Sequence, residues 1–228
     1  MRTISIVFVV GCVLGVAEAD PPLTAFPGSI YGTLLWTSDT PPAFRARLSE
    51  THSDRFEGLD DVVVVAEPLD DAARNALRAA HSRMAGQDGD SELDWYDDRI
   101  VVGKADPRSK LTVNNFADGP RTLRIFNGPS VVHEVVIAAM GHADISGLPE
   151  GTLRVTALER PGSEGWIYVT PWPSDVTTGN CRWSFEVPYG NYRVHGWHPY
   201  GGERWVAYEA RKTDTPPPCR LEFPARSP

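Results

Sequence analysis

With 30 acidic against 22 basic side chains in 228 residues, the chain carries a formal charge of −8. That balance argues against nucleic acid and anionic membrane surfaces as partners, since both reward basic patches. Three cysteines, far apart in the chain, cannot by themselves build a thiolate metal site.

The chain opens on Met-Arg, runs through a mostly apolar stretch from Ile4 to Val16 and then reads Ala17-Glu18-Ala19, the layout of a secretory signal (1–19) cleaved before Asp20. This stretch falls short of the roughly 20 apolar residues that span a bilayer, and Gly11, Cys12 and Gly15 interrupt it. No later segment reads as a transmembrane span, so the expected location is periplasmic or secreted. Val9-Val10-Gly11-Cys12 also permits a lipoprotein reading, with the protein lipid-anchored through Cys12. If Cys12 leaves with the signal, Cys181 and Cys219 remain, a pair expected to form a disulfide in an oxidising compartment. Such a bridge would close a loop of nearly forty residues and stabilise the fold by roughly 3 to 4 kcal/mol.

After a Pro-rich lead from Asp20 to Pro27, short apolar or alternating runs recur between Gly, Pro, Asp and Asn, as in stacked or barrel-like sheets. Strands are predicted over Ile30 to Trp36, Asp61 to Ala66, Arg99 to Gly103, Lys110 to Asn114, Arg121 to Phe126, Val131 to Ala138 and Thr152 to Leu158. One segment breaks the pattern. Asp70 to Ala85 places Ala, Leu, Arg and Met at helical spacing, carries Asp70 and Asp71 in its first turn and stops at Gly86. Gln87 to Asp94 reads as a polar loop. A second strand series covers Trp166 to Pro171, Cys181 to Val187, Tyr192 to Trp197, Arg204 to Glu209 and Arg220 to Phe223, with turn signals at Pro173 to Gly179 and Pro188 to Asn191.

The run Val187-Pro188-Tyr189-Gly190-Asn191-Tyr192-Arg193-Val194-His195-Gly196-Trp197-His198-Pro199 resembles the signature of carboxypeptidase-regulatory-like, or transthyretin-like, β-sandwich modules. Its Trp-His-Pro ending is similar to exported bacterial proteins of the methylamine-utilisation or cupredoxin-like type, which place a cupredoxin-type module before the sandwich. Asp60 to Val65 and Asn114-x-x-x-Asp118 resemble an early strand and the loop before the first copper histidine of those proteins. The resemblance implies a mainly β chain: a cupredoxin-like Greek-key module over 20–163 with the helix inserted at about 70–85, then a transthyretin-like β-sandwich over 164–228. Where it would place the copper ligands, this chain has Arg121-Thr122-Leu123 and Ala157-Leu158-Glu159-Arg160-Pro161. A type 1 copper site needs a Cys thiolate with two His, so the expectation is a scaffold that has lost its copper and binds no cofactor.

The residues themselves offer few alternatives. His195 and His198 are three apart, which on a strand sends the rings to opposite faces; with His133 and His142 they are the alternative copper ligands. Asp94, Asp97 and Asp98 lack the regular spacing of a calcium loop and read as a solvated acidic loop. No G-x-S-x-G elbow, phosphate loop or unpaired thiol supports catalysis. Five of the seven Trp and five of the seven Tyr fall between Trp166 and Tyr208. Trp166 and Tyr168 are expected on one strand face, and Trp172, Trp197, His198 and Tyr200 near strand ends where a ligand site could form. The sequence therefore reads as a non-catalytic exported binding or assembly module for a protein or glycan partner. A copper-binding periplasmic protein, or an accessory module of carbohydrate-active enzymes, are the alternatives.

Overall fold

A computed structural model describes residues 28–36, 61–84, 91–177, 182–199, 201–212 and 217–223. In chain order the elements are β1 (Gly28–Trp36), β2 (Val63–Pro68), α1 (Asp71–Met84), β3 (Glu92–Trp95), β4 (Val101–Ala105), β5 (Leu111–Asn115), β6 (Arg121–Asn127), β7 (Ser130–Ile137), β8 (His142–Ile145), β9 (Gly151–Ala157), β10 (Glu164–Val169), β11 (Ser174–Val176), β12 (Arg182–Val187), β13 (Gly190–His198), β14 (Gly202–Ala210) and β15 (Cys219–Phe223). The protein is mainly β, as its period-2 patterns predict. The helix expected over Asp70 to Ala85 forms over Asp71–Met84. Three short strands went unpredicted: β3, which overlaps the end of the expected 87–94 loop, β8, and β11, inside the expected turn.

The strands assemble into two cores. In the first, sheet β12-β1-β15 and sheet β11-β2-β13-β14 enclose Ile30, Leu34, Val64, Phe185, Val194, Leu221 and Phe223. Helix α1 adds Ala73 and Leu77, one turn apart on its buried face. In the second, sheet β4-β10-β9-β6-β7 and sheet β3-β5-β8 enclose Leu93, Trp95, Leu111, Leu123, Ile125, Leu153 and Ile167. Each such fully buried side chain contributes about 1.5 to 3 kcal/mol of transfer free energy.

The boundary expected near residue 163 does not follow these cores. β1, β2 and α1 belong with the C-terminal strands, and β10 pairs with β4 and β9 inside the second core. The unit β3–β10 is thus an insertion between α1 and β11. Backbone hydrogen bonds between β1 and strands more than 140 residues later carry this arrangement.

Cys219 is buried with a free thiol, and burial pushes its pKa up to about 11. Cys181, its expected bridge partner, lies outside the described residues. Cys219 faces Gly32 on one side of β1, while Arg182 faces Thr33 on the other. The signal region with Cys12, and Tyr200, also lie outside the described residues.

The Pro188-x-Gly190-x-Tyr192 turn has a physical basis. Gly190 adopts φ +151°, which L side chains rarely adopt, and a Cβ there would stand 2.8 Å from Asp70 Oδ2 and displace that carboxylate. Two residues on, the buried Tyr192 hydroxyl donates to the Pro188 carbonyl at 2.8 Å. Asp70, just before α1, accepts from the Asn191 amide, which pins the helix start to this turn.

Candidate functional site

Four connections converge at one end of the inserted unit: the segment after β3, the β5–β6 loop, the turn after β7 and the β9–β10 turn. At their centre is Asp97. Its Oδ1 accepts from Arg121 Nε at 2.9 Å, its Oδ2 accepts from Arg121 Nη2, and Arg160 Nε lies 3.5 Å from Oδ2. The Ser163 hydroxyl donates to the Asp97 carbonyl at 3.1 Å. The bidentate Arg121 bond is the main cause holding the Asp97 carboxyl below its ordinary range, against a smaller opposing effect of burial. Beside it, Glu159 accepts from the Thr122 amide at 2.8 Å and the Thr122 hydroxyl at 2.6 Å, which lowers its pKa too.

The two arginines that stand where the resemblance expects copper ligands therefore close on one carboxylate. A guanidinium has no lone pair to give a metal, and both carboxylate oxygens of Asp97 are engaged. These side chains do not fit a copper ion. Among the described residues, no group of three or more His, Cys, Asp or Glu could hold a metal.

Asn115, the neighbour of the Asn114 that carries the sequence resemblance, organises this end. Fully buried, its Nδ2 donates to the carbonyls of Gly119, Ile137 and Ala138 at 2.9, 3.1 and 3.0 Å, while Oδ1 accepts from Ala117 N at 3.0 Å. One amide thus ties the β5–β6 loop to the turn after β7. Around the Asp97 cluster, Phe116, Met140 and Leu158 are exposed, Phe116 stacks on Tyr96 at 5.3 Å, and the Arg99 guanidinium covers Tyr96 at 4.3 Å.

The acidic trio is not one solvated loop. Asp94 accepts from Asn114 Nδ2 at 2.9 Å, Asp98 pairs with Arg99 at 3.2 Å, and Asp97 is the half-buried centre just described. Nor do the four histidines assemble. His133 lies on β7 opposite Ile125, and His142 lies on β8 opposite Asn114. His195 and His198 on β13 point to opposite faces, as strand parity requires: His195 meets the Tyr168 ring edge-on, while His198 lies beside Gly201 in the first unit.

The expected ligand residues separate as well. Trp172 packs half-buried against the first core beneath the Arg78 guanidinium at 5.8 Å. Trp197 contacts Trp166 and Tyr168 at 5.9 and 5.7 Å, which also puts those two on one strand face as expected. This seam joins the two units, with help from Lys104 Nζ donating to the Ser174 carbonyl at 2.6 Å. Burial, then the charges of Glu203 and Glu67, push Tyr168 up to about 12.

His198 is buried rather than presented to a ligand. Its Nδ1 accepts from the Gly201 amide at 3.0 Å, and burial lowers its pKa to about 4 from the ordinary 6.5. Between those values the unfolded chain takes up a proton that the folded chain refuses. Stability is expected to be full above pH 6.5 and to fall as the pH drops through about 4, by about 3 kcal/mol in all from this group. Urea midpoints measured at neutral pH and near pH 4 check this, and His198→Asn, which keeps an acceptor for Gly201, should flatten that dependence.

No protein-family model matches the chain, and no curated relative does. Among solved structures, the fold is similar to a purple cupredoxin from Nitrosopumilus maritimus (10% identity, 36% of this chain and 100% of that one, TM-score 0.31). It is also similar to a reduced amicyanin variant (13% identity, 36% of this chain and 84% of that one, TM-score 0.31) and to the Cu(I) form of another amicyanin variant (13% identity, 49% of this chain and 100% of that one, TM-score 0.31). Likenesses at this level establish neither a ligand nor an activity.

Proposed function

We propose that the chain is an exported, non-catalytic binding or assembly module for a protein or glycan partner, in which a cupredoxin-like unit serves as scaffold beside a transthyretin-like sandwich. The observation that carries this reading is the closure of Arg121 and Arg160 on Asp97. Groups that would need lone pairs to act as ligands are instead cations held by a carboxylate, and the loops around them offer exposed Phe116, Met140 and Leu158. Exposed apolar side chains on fixed loops suit recognition. Catalysis would ask for a nucleophile or a titratable pair facing substrate.

Protein purified from its native compartment without added metal is expected to hold copper far below one ion per chain by elemental analysis. Equimolar copper would overturn the reading in favour of a copper protein with atypical ligands. Among the described residues, no helix is long and apolar enough to cross a membrane.

A further inference from the structure

Trp205 is the most exposed tryptophan among those whose side chains are described, at 62%; Trp95 and Trp183 are buried, and Trp166, Trp172 and Trp197 are partly so. A lone exposed apolar side chain is ordinary. What sets Trp205 apart is how its surroundings are fixed. It stands on β14 opposite His195 of β13, on the face that carries Arg193 and Trp197. The Arg193 guanidinium lies over the indole at 5.6 Å and is anchored by Glu67 at 3.5 Å. Next along the same face of β14, Glu203 holds His195 Nδ1 at 2.7 Å. His195 in turn meets Tyr168, which continues the aromatic row toward Trp197.

We propose that this face, centred on Trp205 with Arg193 and Glu203 at its sides, is a binding site for a neutral sugar ring. The inference rests on the binding-module reading and names its ligand class. A flat indole held by a cation–π contact offers an apolar platform of the size of a pyranose face, and its ordering cost is already met before the ligand arrives. The charges decide between ligand classes. Glu67 is matched by Arg193 and Glu209 by Arg211 at 3.7 Å, while Glu203 is hydrogen-bonded to His195 Nδ1. An ionic ligand would have to compete with the opposite charges that Glu67 and Glu209 already hold. A polyol only adds hydrogen bonds to carboxylate lone pairs and guanidinium hydrogens that remain open to water on half-exposed Glu203 and Arg193.

The full chain is titrated with cellohexaose, xylohexaose, mannohexaose and maltohexaose, read by tryptophan fluorescence and calorimetry, with an oligogalacturonate and a lysine-rich peptide as charged probes. At least one neutral hexaose is expected to bind with a Kd of about 1 mM or tighter, and more tightly than either charged probe. Trp205→Ala should weaken it about tenfold or more at an unchanged melting temperature. Trp205→Tyr should retain most of the affinity, and Trp172→Ala all of it. Binding that survives Trp205→Ala, a preference for a charged probe, or no neutral hexaose bound at all would overturn the proposal. Failure here with no copper in the native protein removes the sugar site and leaves the binding-module reading standing. Sugar binding that depends on Trp205, in a protein that also carries copper, does the reverse.

Discussion

Asn115→Ala is expected to lower stability by about 3 to 5 kcal/mol, because it strips hydrogen bonds from three backbone carbonyls and one amide at a fully buried position. Few of these groups can turn to water without moving the loop or turn that holds them. The loss should appear as a lower urea midpoint. Hydrogen exchange should show the early loss of protection confined to residues 116–120 and 138–141, the segments that Asn115 ties together. Asn114→Ala is the contrast. Its side chain makes one part-buried bond, to Asp94, so its cost should stay near 1 kcal/mol. Equal effects of the two substitutions would mean that the clamp is not what holds this end together.

Gly32→Ala should cost about 3 kcal/mol by forcing apart strands that pack too closely for any side chain. A Cβ at this position would stand 2.1 Å from the Cys219 carbonyl oxygen and 2.5 Å from Trp183 Cζ2. The backbone atoms of β15 cannot rotate away, so β1 and β15 must separate. Amides of β12 and β15 are expected to lose protection while those of β6 and β9 keep it. If the damage fell on β6 and β9 instead, β1 would belong with the residues that follow it in sequence, and the insertion described above would be wrong.

Much of the local structure was legible because its signals are local. Alternation at β5 and β9 and helical spacing at α1 each reflect one face turned to a core, and the Pro-x-Gly-x-Tyr turn is explained within five residues by Gly190 and the Tyr192 hydroxyl. The opposite orientation of His195 and His198 followed from parity alone. β3, β8 and β11 escaped notice because three or four residues are too few to show a period. The ligand residues misled for a different reason. Trp172 and Trp197 were placed at strand ends, but whether an aromatic ring is exposed depends on what packs over it, and Arg78 and the β10 face cover these two.

The sequence by itself determined that the chain would be mainly β with one helix and where most strands would run. Tertiary structure alone decided that β1 lies between β12 and β15, that Cys219 is buried on β15 beside Gly32 of β1, and that Arg121 and Arg160 meet on Asp97. The physical reason is common to all three. Backbone pairing between distant strands uses hydrogen-bonding groups that every residue carries, so the choice of neighbour leaves little trace in side-chain identity. Only once those strands are paired are residues far apart in the chain brought within the few ångströms over which charges and thiols find partners.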